Sequence, residues 1–142
     1  MTSRNVAVTE AIYAAVPAGD LETAVGLLDP QIRITYYGTP AIPYAGDYHG
    51  IERAVEFFSI VGTHIEIVEM RAWKFIAQGD DLAVWGHQRF RRRATGHEWD
   101  SEFAHIITLR DGKWWYFRDF MNSALTDRAF STARWPGSAD RR

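Results

Sequence analysis

The chain has 142 residues, 46% of them hydrophobic, and sets 16 Lys and Arg against 18 Asp and Glu for a formal net charge of -2. That length suits one domain with a substantial core, and the near-even charge gives no global field to recruit nucleic acid or an anionic membrane. There are no cysteines, which excludes disulfides, thiolate nucleophiles and thiolate metal sites and leaves the redox compartment open.

The first twenty residues lack the apolar core of a signal peptide, and no stretch has the continuous apolar length of a membrane span, so a soluble, cytoplasmic protein is expected. Val8, Ala11, Ile12 and Ala15 recur at helical spacing and predict a helix from Val6 to Ala18. Gly19-Asp20 breaks it, and Asp20 is placed to N-cap a second helix through Leu28. Asp29-Pro30 ends that helix, and Ile32, Ile34 and Tyr36 alternate as a short strand. The Gly- and Pro-rich stretch from Gly38 to Gly50 reads as a loop. A third helix is expected from about Ile51 to Val61, with Ala54, Phe57, Phe58 and Val61 as its inward stripe.

After Gly62 the pattern changes to four long strands separated by Gly-containing turns: His64 to Ala77, Asp81 to Ala94, His97 to Arg110 and Lys113 to Asn122, an antiparallel meander. Ser123 then caps a short helix to Phe130, and 131–142 reads as a frayed tail after a domain spanning 1–130. Helices followed by a curved antiparallel sheet give an α+β class, with the N-terminal helices packed on one face. Such a sheet makes a cone whose mouth is a pocket and whose other face can pair with a second copy.

Asp119 stands out because Trp115, Phe117 and Met121, its companions at alternate positions of the last strand, are large and apolar. A carboxylate there must be neutralised, paired or used. The register of the last hairpin decides its neighbours. A three-residue loop pairs Leu109 with Lys113 and gathers Phe103, His105 and Ile107 with Trp115, Phe117, Asp119 and Met121, placing Asp119 opposite Phe103 and diagonal to His105. A two-residue loop puts His105 among Tyr116, Arg118 and Asn122. The three-residue loop is preferred because it collects the apolar side chains on one side. Asp119 then reads either as a general acid/base tuned by His105 or as a structural carboxylate paired with His105 or Arg118.

The run from Ala11 to Phe130, with AGDLETAVGLL, GTPAIPYAGDYHGIERAVEFF, TGHEW and FAHIITLRDGKWWYFRDF in that order, resembles the SnoaL-like polyketide cyclase and ketosteroid isomerase-related branch of the nuclear transport factor 2-like superfamily. The resemblance implies a cone-shaped, cystatin-like α+β fold with an internal pocket, a homodimer, and no metal or organic cofactor. It also implies an acid/base Asp on the last strand with a nearby His, carried here by Asp119 and His105; a one-residue bulge would instead promote Asn122. The steroid isomerases have a carboxylate where this chain has Tyr36-Tyr37, and a tyrosine where it has Ile12, with Tyr13 one place off. Limonene epoxide hydrolase relatives use Arg-x-Asp where this chain has His87-Gln88-Arg89. Neither of those chemistries is therefore expected in its known form.

Tyr37 is a candidate donor to a developing oxyanion, or simply a half-buried strand aromatic. Trp85 and His87 share a face, and a three-residue loop at Ala94-Thr95-Gly96 would pair Trp85 with His105. Phe103, Phe117, Met121 and Asn122 complete the expected lining, while His49 is placed at the pocket mouth or, preferably, in a loop-holding role. Arg89, Arg91, Arg92 and Arg93 span both faces of a strand end and read as a solvated edge. Two functions follow: a cofactor-independent cyclase, isomerase or hydratase-like catalyst on a hydrophobic carbonyl compound, or a non-catalytic module that holds an apolar ligand or mediates dimerisation.

Overall fold

Gly19 and Asp20 make the first corner as expected. In the computed structural model, which describes residues 2–131, α1 spans Thr2–Ala15 and α2 spans Leu21–Gly26. Gly19 has a φ of 76°, and the Asp20 carboxylate accepts a hydrogen bond from the Thr23 backbone N–H at 3.2 Å. The buried stripe of α1 is Asn5, Thr9, Ile12 and Ala15, while Ala11 is exposed. Its polar members hide the helical period: Thr9 is wholly buried because its hydroxyl accepts from the Trp114 indole N–H at 3.0 Å.

β1 is Leu28–Tyr36, and within the expected loop lies β2, Gly46–His49, antiparallel to it. Four residues among glycines and prolines carry too short a pattern to announce a strand. Arg33 holds this edge by donating to both carboxylate oxygens of Asp47, at 3.0 and 2.7 Å, and the Thr35 hydroxyl adds a third bond at 2.8 Å. α3, Ile51–His64, buries Ala54, Phe57 and Phe58 against the sheet.

β3 (Ile65–Gln78), β4 (Asp81–Arg92), β5 (Glu98–Arg110) and β6 (Lys113–Met121) form the predicted meander, and α4 runs Ser123–Phe130. Its N-cap position is Asn122 rather than Ser123. The expected frayed tail lies, beyond Ser131, outside the described residues. The six strands run in the order β2-β1-β6-β5-β4-β3, with β1 parallel to β6 and every other pair antiparallel. Among the described residues no helix is long and apolar enough to cross a membrane.

Bulges bend this sheet. Register shifts in β3 leave Val68 and Trp73 as extra residues, and one between Thr108 and Leu109 leaves Trp115 extra on β6. All three are exposed, so each bulge extrudes a bulky side chain on the convex side while the strand curls toward the helices. Gly86 allows the tightest approach: a Cβ there would fall on the Arg71 carbonyl oxygen and within 2.8 Å of the Phe103 ring.

The hairpin between β5 and β6 corrects the expected register. Arg110 pairs with Lys113, so the loop is the two-residue Asp111-Gly112, both in the left-handed region at φ 53° and 73°. The bulge at Trp115 then restores parity. Trp114 is buried in place of Trp115, and Asp119 sits directly opposite His105, with Met121 opposite Phe103. A two-residue turn plus one extra residue thus brings Phe117, Asp119 and Met121 inward as the three-residue loop would, and exchanges Trp115 for Trp114.

Two outcomes follow from these contacts. Gly86→Ala should destabilise the fold by about 2–3 kcal/mol, since the Arg71 backbone cannot move away without breaking the β3–β4 ladder; an unchanged denaturation midpoint would contradict that packing. The paired Arg33 guanidinium holds the Asp47 carboxyl down at about 2, below the ordinary 3.8, with Thr35 lowering it further. The stability it contributes is complete above the unfolded value and is lost as pH falls from about 4 toward about 2. Asp47→Asn should therefore show a smaller loss of denaturation midpoint between about pH 5 and about pH 2.5 than the parent.

Candidate functional site

The concave face of the sheet and the helices over it enclose a cavity of about 80 Å³. Most of its wall is apolar: Ile12 and Val16 from α1, Phe57, Phe58 and Val61 from α3, and Ile65, Ile67, Met70, Phe90, Trp114, Phe117 and Met121 from the strands. The polar lining is sparse, consisting of Tyr13, Tyr36, Tyr44, Gln88, His105 and Asp119.

Strand pairing sets the polar end. Asp119 on the central β6 is aligned with His105 on β5 and with Tyr36 on β1, so three side chains form a row across adjacent strands. His105 Nε2 lies 3.3 Å from Asp119 Oδ1, and its Nδ1 lies 2.7 Å from the Tyr13 hydroxyl on α1. The result is a chain of groups, Tyr13 to His105 to Asp119, in which the imidazole is only 3% exposed and the aspartate 9%. The Nε2 to Oδ1 contact is in ion-pair range but is not aligned as a hydrogen bond, and neither atom has another partner among the described residues.

Aromatic rings fix the imidazole. Phe103 packs on it with ring centroids 4.2 Å apart, Phe117 meets it edge-on at 4.7 Å, and Tyr13 at 5.5 Å. Trp114 in turn stacks on Phe117 at 4.6 Å. Burial pushes the Tyr13 phenol well above its usual value, and the nearby Asp119 charge pushes it further. Tyr36 and Tyr44 are raised by burial first, then by neighbouring negative charge, so all three phenols keep their protons at neutral pH. Tyr36 donates to the Met121 sulfur at 3.1 Å.

Several sequence-predicted residues lie elsewhere. Tyr37 is 43% exposed on the convex side, stacked on Phe120 at 4.6 Å, because Tyr36 takes the inward parity of Ile32 and Ile34. Trp85 pairs with Ala104 rather than with His105, which pairs with Val84; its indole donates to Glu102 at 2.8 Å on the outer face. His87 is also outward, stacked on Trp73 and lying 3.5 Å from Glu69 and 3.7 Å from Asp100. Asn122 is exposed and uses its backbone N–H on the Ser101 hydroxyl. His49 is an exposed end of β2, 3.8 Å from Asp47. Phe117 and Met121 do line the cavity, and Phe103 backs His105. The Arg89 and Arg91 guanidinium groups are taken up by Glu98, Asp100 and Glu66, while Arg92 and Arg93 donate to the Ala129 and Gly62 carbonyls.

Tyr13, Tyr36, Tyr44, Gln88 and Trp114 were not singled out from the sequence. The parity of Ile32, Ile34 and Tyr36 was the available signal for Tyr36; Tyr13 is reached only through the packing of α1 across the sheet. Among the described residues no group of three or more His, Asp or Glu side chains converges as a metal-ligand set.

Comparison with known proteins agrees with this architecture. An NTF2-like protein from Burkholderia xenovorans LB400 superposes with a TM-score of 0.83 at 23% identity, covering 92% of this chain and 98% of its own. TerC, crystallised with polyporic acid, gives 0.79 at 22% identity over 89% and 98%. A provisionally assigned SnoaL-like polyketide cyclase from Jannaschia sp. CCS1 gives 0.75 at 18% identity over 92% and 94%. At these identities the likeness is one of fold. No curated protein matches the chain in sequence. Residues 9–117, well over half the chain, match the SnoaL-like domain, and the protein belongs to that family.

Proposed function

We propose that the protein is a cofactor-independent acid/base catalyst, an isomerase or cyclase, acting on a hydrophobic carbonyl compound held in the aromatic cavity. The observation that carries this reading is the buried chain of Tyr13, His105 and Asp119 at one end of an otherwise apolar chamber. The fold family includes cyclases and isomerases, which agrees with it.

In this reading the Asp119 carboxylate removes a proton from the carbon alpha to the substrate carbonyl, and the electron pair of that C–H bond becomes an enolate. The Tyr36 O–H, on the strand position aligned with Asp119, donates to the enolate oxygen, while the Tyr13 O–H donates to His105 Nδ1 and so directs the imidazole Nε2–H at the carboxylate. The enolate either recovers the proton from Asp119 at another carbon or attacks an electrophilic carbon of the same molecule, whose new alkoxide takes that proton. Apolar walls exclude the water that would otherwise screen these charges. Asp119→Asn should retain binding of 1-tetralone, a bicyclic ketone, yet lose about 10²- to 10⁴-fold in the rate of its alpha-hydrogen exchange into D2O, followed by NMR. Equal exchange rates in the two proteins would favour a module that only binds.

The protein is further proposed to be a homodimer. On the convex face Trp73 packs against Trp85, which pairs across the strands with Ala104, then Phe120, on which Tyr37 stacks. This makes an apolar band across the sheet of the kind that soluble proteins cover. Sedimentation should give twice the chain mass, and Ala104→Arg, at the centre of the band, should give a folded monomer; a monomeric parent would refute the assignment.

A further inference from the structure

Gln88 is the one polar side chain of the cavity lining that the proposed proton chemistry leaves without work outside the phenols. It sits on the inward side of β4 between Gly86 and Phe90, is 6% exposed, and lines the cavity. No hydrogen bond to its carboxamide is formed by any described residue. Its strand partners offer none: Met70 on β3 is a thioether, and the Ser101 hydroxyl on β5 is committed to the Glu102 carbonyl and the Asn122 N–H. Its polar atoms are not sealed off but face the cavity, where two donors and an acceptor are open to whatever occupies it.

Its position is as informative as its lack of partners. His105 is aligned with Val84, and Gln88 lies four residues farther along the same strand, about 13 Å at about 3.3 Å per residue. Between them on the inward side is only Gly86, which has no side chain, with Phe103 alongside. The cavity thus has two polar ends, Tyr13, His105 and Asp119 at one and Gln88 at the other, separated by an apolar stretch. Among the described residues no Lys or Arg lines it. A carboxylate or phosphate at the Gln88 end would meet no cation of the described lining, Arg92 lying beyond Phe90 with its guanidinium over Phe130, and would share the chamber with Asp119.

We propose that Gln88 is a substrate-binding residue that recognises a second, uncharged oxygen function, a hydroxyl or ketone, at the end of the substrate remote from the reacting carbonyl. This rests on the acid/base reading of the same cavity and narrows its substrate class to neutral hydrophobic ketones that carry a distal oxygen. A hydroxyl suits the carboxamide because it can donate to the carbonyl and accept from the NH2 group together.

Calorimetric titration of the parent with 1-tetralone, 6-hydroxy-1-tetralone and 6-carboxy-1-tetralone tests the proposal, because the substituent lies across the bicycle from the ketone. The hydroxy ketone should bind about tenfold more tightly than 1-tetralone, and the carboxylate more weakly than either. Gln88→Leu should abolish the tenfold preference while keeping or improving the affinity for 1-tetralone. Gln88→Met, close in length, serves if the leucine variant does not fold. A parent that binds none of the ketones, a parent with no preference for the hydroxyl, a preference that survives in the variant, or tighter binding of the carboxylate would each overturn the assignment. Alpha-hydrogen exchange separates it from the catalytic reading: loss of the hydroxyl preference in Gln88→Leu with no exchange in the parent would uphold Gln88 and refute the acid/base role of Asp119.

Discussion

The pairing of β5 with β6 is the constraint on which the site depends. Asp119 and His105 face each other only because a tight two-residue turn at Asp111-Gly112 is followed by one extra residue at Trp115. Without the bulge, every side chain from Tyr116 onward would change faces, sending Asp119 to solvent and Arg118 into the cavity. The bulge also exchanges which of two adjacent tryptophans is buried. Trp114 goes inward to meet Thr9 and Phe117, and Trp115 goes outward beneath the Arg110 guanidinium at 4.7 Å. One local irregularity therefore positions the carboxylate, anchors α1 and completes the aromatic support of the imidazole.

That local origin explains which parts of the structure were legible in the sequence. The four long strands and the corner at Gly19-Asp20 were visible because they rest on period-2 alternation and on turn residues with a single reading. The meeting of Asp119 and His105 was also reached, through a three-residue loop that the structure replaces with a shorter turn and a bulge. The two solutions differ inward only in which of the adjacent Trp114 and Trp115 is buried, so the apolar pattern could not separate them. β2 was missed because four residues among glycines and prolines have no period. Tyr37 is the phenol named from the sequence, yet Ile32, Ile34 and Tyr36 share parity, and Tyr36 is the one aligned with Asp119 across the parallel β1–β6 pair. That pairing is long-range and leaves no trace in local spacing.

Tyr13 was harder still. Its neighbours on α1 gave a helix, but the inward stripe contains Asn5 and Thr9, which a hydrophobic count scores as surface. The bond between Thr9 and Trp114 helps fix the rotation of α1 about its axis, with Arg4 on the Asp111 carbonyl at the other end of the helix, and that rotation brings the Tyr13 hydroxyl to His105. A polar contact in the core thus helps set the geometry of a polar contact in the cavity. Apolar packing alone would tolerate a range of helix rotations, whereas a buried indole N–H with a single acceptor tolerates few.

The same burial that makes the carboxylate expensive also makes the phenols useful. Asp119 is buried, and its contact with His105 is in ion-pair range without the alignment of a hydrogen bond, so its Oδ1 has no hydrogen-bond partner among the described residues. Its surroundings are phenols whose protons are held tightly by desolvation and by that very charge. For the acid/base function proposed above, a carboxylate without a hydrogen bond and donors that do not ionise would be the two halves of enolate chemistry, and burial of the same cavity end underlies both. A core evolved for stability alone would pair the carboxylate with an arginine, as Arg110 pairs with Asp29 at 2.9 Å on the rim. Arg118, the neighbour best placed in sequence, is instead turned outward onto the Tyr116 ring at 3.7 Å. Keeping that cation out of the cavity leaves Asp119 buried with no arginine beside it among the described residues, an arrangement that fits the role proposed for it.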